Sequence, residues 1–145
     1  MGKFIFRLQS FLGVKEKMEE QKKLEYGRAL KKLEEDNQYL ESLKMEKVLH
    51  MDEFKDSIER KINTSEFKIY NDYIEIIKKR INAQYKVIKQ TEQIVERRRL
   101  ELVEAIKERK MLEALKEKHH EQFLKDELMA EQKLVDEIVS YRYHS

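Results

Sequence analysis

From Arg28 to Ser145 the chain contains neither a glycine nor a proline. These two residues are the usual punctuation of turns, because one tolerates positive φ and the other breaks the helix ladder. A compact globule must reverse direction many times. This chain offers signals for about one reversal, and its three glycines, Gly2, Gly13 and Gly27, all precede that long stretch. The expected fold is therefore all-α: a long antiparallel two-helix coiled-coil hairpin.

Hydrophobic residues make up 40% of the chain and charged residues 41%. So low an apolar share, evenly spread, suits a narrow stripe between two helices better than a broad core. Helix one is expected over about 3–61, a turn over about 62–66 and helix two over about 67–141, in one domain spanning 1–145. On helix one the spacing of threes and fours runs Tyr26, Leu30, Leu33, Asn37, Leu40, Lys44, Lys47, Met51, Phe54, Ile58. The charged run from Lys15 to Lys23 gives no clear register. On helix two the stripe reads Tyr70, Ile74, Ile77, Ile81, Gln84, Ile88, Thr91, Val95, Arg98, Leu102, Ala105, Arg109, Leu112, Lys116, His119, Phe123. Leu134, Ile138 and Tyr141 then leave that frame, which marks a stutter.

The reversal falls on Ile62-Asn63-Thr64-Ser65-Glu66. Asn, Thr and Ser compete with helix through local side-chain bonds and cap helix starts. Asn63 followed by Glu66 has capping-box spacing. A hairpin closed there places Leu8 beside Glu121 and leaves a single helical tail from about Ala130. The seam carries Asn37, Lys44, Lys47, Arg98, Arg109, Lys116 and His119, whose stems cover apolar surface only in part. A hairpin of modest stability follows, firmed up by a partner.

Little in the sequence carries chemistry. With no cysteine, disulfide and thiolate-metal frameworks are excluded. His119-His120-Glu121 fails the two-histidine zinc pattern, since Leu124 stands four residues after His120. No metal, no cofactor and no catalytic residue is expected, and the chain reads as a non-enzyme. Net charge is +2, balanced in both halves, against a nucleic-acid partner. Arg97-Arg98-Arg99 is flanked by Glu96 and Glu101 and reads as solvated surface. No apolar run approaches the roughly 20 residues of a membrane span, and the opening lacks a signal-peptide core. The protein is expected to be soluble and cytoplasmic. Phe4, Ile5, Phe6, Leu8, Phe11 and Leu12 form an apolar start suited to packing or partner contact, with a short membrane-surface helix as the alternative.

Four segments together resemble one family. They are Phe6-Arg7-Leu8-Gln9-Ser10-Phe11-Leu12; Ile69-Tyr70-Asn71-Asp72-Tyr73-Ile74; Glu108-Arg109-Lys110-Met111-Leu112-Glu113 with Leu115-Lys116-Glu117-Lys118; and Glu131-Gln132-Lys133 with Asp136-Glu137-Ile138. Their order and spacing resemble the flagellar FliJ proteins, coiled-coil components of the flagellar type III export apparatus. The resemblance implies an antiparallel hairpin similar to the central stalk of rotary ATP synthases. It also implies three partners: the hexameric export ATPase, the cytoplasmic domain of the export gate, and export chaperones. Association with the inner face of the cell membrane would then be peripheral, through those partners and without direct insertion.

The gate contact implied by the resemblance maps to Tyr73, Ile77, Arg80 and Gln84, with Leu43, Glu46 and His50 on helix one. Arg80 and Gln84 depart from the small residue and the histidine of the family pattern. The stripe puts Ile77 in the seam while the resemblance wants it exposed, which leaves Ile76 as the alternative seam residue. The ATPase contact falls at the end carrying both termini: Leu8, Phe11, Leu12, Gln132, Asp136, Glu137 and Tyr141. A generic structural or dimeric coiled coil with no export role, and the stalk protein of a virulence type III secretion system, are the alternative readings.

Overall fold

The structure, a computed structural model, describes residues 2–144. The ends of the expected 1–145 unit, Met1 and Ser145, lie outside the described residues. Two helices account for nearly all of the rest: α1, Gln9–Glu59, and α2, Thr64–His144. They pack against each other in antiparallel sense, as expected of a helical hairpin. Packing divides the chain into two compact units. One comprises residues 23–101 and the other 1–22 with 102–145.

The 23–101 unit contains the reversal. α1 ends as Lys61 turns to a φ of 57°, with its N–H donating to the Ile58 carbonyl at 3.0 Å. A left-handed residue is the usual helix terminator, although glycine is the usual occupant. α2 starts three residues before the expected Phe67, because Asn63 caps it. The Glu66 N–H donates to Asn63 Oδ1 at 2.9 Å, and the Phe67 N–H donates to the Asn63 carbonyl at 3.1 Å. Phe54 packs near Phe67 and Tyr70, with ring centroids 5.1 and 5.6 Å away.

In this unit the stripe on α2 is the expected one. Ile74, Ile77, Ile81, Gln84, Ile88 and Thr91 are buried. Ile77 is 0% exposed, so it holds the seam place and Ile76 faces solvent. On α1 the expected frame needs correction. Ala29, Asp36, Leu43 and Ser57 are buried, and His50 is half-buried; the expected Leu30, Asn37, Met51 and Ile58 are exposed and Lys44 is only half-buried. Each true seam residue is the direct neighbour of the one expected, whereas Tyr26, Leu33, Leu40, Lys47 and Phe54 are shared by both frames.

At Asp36 the cause of the shift is polar. Gln84 and Thr91 sit on the α2 stripe, and buried amides and hydroxyls require partners. Asp36 supplies them. Its carbonyl accepts from Gln84 Nε2 at 2.8 Å and its Oδ2 accepts from Thr91 Oγ1 at 2.6 Å. Its Oδ1 accepts from Lys32 Nζ at 2.8 Å. Leu40, Leu43, Ile77, Ile81 and Ile88 make the apolar cluster beside this layer, with Leu33 and Tyr73 against it.

In the second unit the α1 seam is Leu12, Lys15, Glu19 and Lys22, resolving the charged run. Lys15 pairs with Glu108 at 2.8 Å, and the nearly buried Glu19 accepts from Arg109. Arg109 also reaches Glu113 at 2.7 Å. Both bonds stabilise the guanidinium cation and raise its pKa, the Glu19 bond most. The opening also differs from expectation. α1 starts at Gln9, at the late end of the stretch from Lys3 to Ser10 where its start is expected, and residues 2–6 run alongside α2 outside the helix. Phe6 stacks edge-on against His119, at 5.7 Å between centroids, in place of the expected pairing of Leu8 with Glu121. The reversal is centred nearer Ile62 than residue 64, which slides the register.

Candidate interaction surfaces

Near the reversal, in the 23–101 unit, three sequence-predicted residues meet. The Tyr73 hydroxyl donates to Glu46 Oε1 at 2.7 Å, and the Tyr73 ring lies edge-on to His50 with centroids 4.3 Å apart. His50 Nδ1 is 3.5 Å from Glu53 Oε2. The bond to Glu46 raises the Tyr73 pKa, with partial burial adding to it, so the phenol is held protonated. All three side chains are half-buried, and Arg80 stands exposed on α2. Leu43, Ile77 and Gln84 are a different matter. They are buried in the seam and have almost no surface to offer while the helices are paired. The surface is thus Tyr73, Glu46, His50 and Arg80, with Leu43 and Ile77 in the apolar cluster against which Tyr73 packs, while Gln84 bonds the Asp36 carbonyl.

At the other unit's end, the structure separates two kinds of predicted residue. Leu8 and Phe11 are partly exposed, but Leu12 is buried between the helices. Gln132, Asp136, Glu137 and Tyr141 lie on the uncovered part of α2, where every described residue from Leu128 to His144 is exposed. The tail therefore starts close to the expected Ala130. It carries Leu128, Leu134, Val135, Ile138, Val139 and Tyr141, with Tyr141 77% exposed. The phase change expected after Phe123 is a step of eleven residues to Leu134. Eleven residues make about three turns, so Leu134 returns to the face of Phe123 within about 20°.

Sequence reasoning gave the opening residues to packing or partner contact but did not see that residues 2–6 pack on α2 outside a helix. Gly2, Phe4 and Phe6 meet α2 at successive turns. The Gly2 N–H donates to Glu127 Oε1 at 3.3 Å, Phe4 lies 5.6 Å from Phe123 and 4.9 Å from His120, and Phe6 meets His119. Two residues of extended chain advance about 6.6 Å and four residues of helix about 6 Å, so the two repeats match. The signal was the alternation Phe4-Ile5-Phe6: Phe6 is 5% exposed and Ile5, between the rings, is 80% exposed. Asp36 was missed as well, and its signal was the pair Gln84 and Thr91 on an otherwise apolar stripe.

Two of the three arginines in the run are paired with carboxylates. Arg98 reaches Glu25 at 3.3 Å and Glu101 at 3.0 Å, and Arg99 makes two bonds to Glu96, at 2.9 and 2.6 Å. Among the described residues, no group of three or more His, Cys, Asp or Glu is arranged to hold a metal ion, and no helix is long and apolar enough to cross a membrane.

A family model described as flagellar FliJ protein matches residues 4–145. A solved structure described as a YscO homolog from Chlamydia trachomatis is similar in fold, with a TM-score of 0.53. The two chains share 18% identity over 98% of this chain and 96% of that one. No curated protein matches the chain.

Proposed function

The chain belongs to the flagellar FliJ protein family, and from that premise we propose that it serves, without catalysing a reaction itself, as the stalk component of a flagellar type III export apparatus. It binds the export ATPase ring and promotes its assembly and activity. It contacts the cytoplasmic domain of the export gate and escorts export chaperones. It acts in the cytoplasm, held at the inner face of the membrane through those partners.

The observation that carries this reading is the uncovered tail of α2. Leu134, Ile138 and Tyr141 share one face, and all are exposed. An apolar stripe of this kind is a helix-in-groove docking surface. Gln132, Asp136 and Glu137 flank it, and Leu8 and Phe11 add surface at the same unit, with Leu12 anchoring α1 beneath them. For the gate we assign Tyr73, Glu46, His50 and Arg80, with Leu43 and Ile77 in the apolar cluster beneath Tyr73 and Gln84 committed to the seam through Asp36.

The test adds the purified protein to the cognate export ATPase and follows ATP hydrolysis and ring formation. Stimulation of both is expected. Absence of binding and of stimulation would leave a structural coiled coil without an export role.

A further inference from the structure

We propose that residues 2–6 are a displaceable strap, and that a partner's amphipathic helix takes over their seat on α2. The seat is His119, His120, Phe123 and Glu127, met turn by turn by Phe6, Phe4 and Gly2. It does not end there. At 100° per residue, Leu134, Ile138 and Tyr141 lie on the same face as Phe123 within about 60°. The strap therefore covers the first part of a stripe whose remainder is bare.

The strap is weakly held. It lies outside helix and sheet, its Phe6 carbonyl accepts one turn bond from the Gln9 N–H at 3.0 Å, and among the described residues its polar bond to α2 is the exposed one from Gly2 to Glu127. Two aromatic rings hold it. A helix laid along the bare stripe and continuing toward the reversal meets Phe4 and Phe6 in its path. It would bury the same seat together with three further turns.

Charge identifies the occupant. Between Lys125 and Arg142 the tail has five acidic residues, Asp126, Glu127, Glu131, Asp136 and Glu137, against three basic ones, Lys125, Lys133 and Arg142. An acidic helix is repelled by anionic lipid and by a second copy of itself. The partner is a helix with an apolar seam and basic flanks. Its identification with the export ATPase rests on the function proposed above.

The experiment measures ATPase binding for four versions of the full-length protein. The first lacks residues 2–6. The second has Gly2→Cys and Glu127→Cys joined by a short bismaleimide, which is selective because the chain has no cysteine. The third is Ile5→Ser, which alters the strap on the side facing away from α2. The fourth is Phe4→Trp, a single reporter in a chain without tryptophan. Removal of the strap should tighten binding by about ten-fold, as expected for a seat open roughly a tenth of the time. The locked version should weaken it, Ile5→Ser should leave it unchanged, and the Phe4→Trp emission should shift to the red when ATPase is added. Equal affinities for the strapless and locked versions overturn the displacement alone. A loss of affinity in Ile5→Ser also overturns it, because the strap would then be a contact surface itself. No binding by any version overturns the partner assignment and the displacement together.

Discussion

Lys61 holds the left-handed conformation that ends α1, at a φ of 57°. A side chain there meets the following carbonyl, at a cost of about 1–2 kcal/mol. Replacing Lys61 with Gly should raise stability by about 0.5–1 kcal/mol, after the greater freedom of glycine in the unfolded chain is subtracted. The opposite sign applies two residues on. Asn63→Ala removes the cap on the Glu66 N–H and should cost about 1 kcal/mol in chemical denaturation. Asp36 makes a prediction in pH. Its bond from Lys32, and next that from Thr91, hold its carboxyl below the ordinary aspartate value of about 3.8. The stabilisation is therefore complete above about pH 3.8 and is lost as pH falls through the lower folded value. Asp36→Asn should flatten that acid limb of the stability curve, read as unfolding free energy against pH. An unchanged slope would mean that other carboxylates set it.

At the scale of the elements, α2 was legible and α1 was legible only in part. The α2 stripe is rich in isoleucine, and burial follows hydrophobicity there. On α1 the same rule chose Leu30 over Ala29, Met51 over His50 and Ile58 over Ser57, and each choice was one residue off. At Asp36 polar satisfaction sets the frame, because Asp36 reaches Gln84 and Thr91, and the burial of Leu43 in place of the expected Lys44 agrees with it. The candidate surfaces divide in the same way. The resemblance named all seven gate residues: Tyr73, Glu46 and His50 cluster, while Leu43, Ile77 and Gln84 lie in the seam, where the spacing already puts Ile77 and Gln84. The strap was invisible to a search for helical periods because its period is two. For the tail, deletion of 128–145 should remove helical signal in proportion to its length and leave the unfolding midpoint in place, since its described residues are exposed throughout. The same deletion should abolish ATPase stimulation. A collapse of all helicity would show that the tail supports the fold.

At the scale of the whole molecule, the two units differ in what holds them. The 23–101 unit owns the contiguous apolar cluster of Leu40, Leu43, Ile77, Ile81 and Ile88. In the other unit the buried apolar residues are Phe6, Leu12 and Ala105, supplemented by Lys15–Glu108 and Glu19–Arg109. Partly exposed ion pairs return little, about 0–1 kcal/mol each, against about 1.5–3 kcal/mol for each fully buried aliphatic side chain. Hydrogen exchange should accordingly show the slowest amides between Leu33 and Leu43 and between Ile77 and Ile88, with faster exchange over 9–22 and 102–127. Uniform protection along both helices would contradict this ordering. Bound ATPase should slow exchange most in the second unit, where the proposed contact lies.

The two-against-four match between residues 2–6 and α2 has a parity. Insert one alanine between Ile5 and Phe6, and the ring on its N-terminal side turns from the helix to the water, exchanging places with the isoleucine. Insert two, and the rings face inward again, now one helical turn farther along. Sequence length in this short segment is thus read modulo two, so odd insertions turn Phe4 away from α2 and even ones move it along.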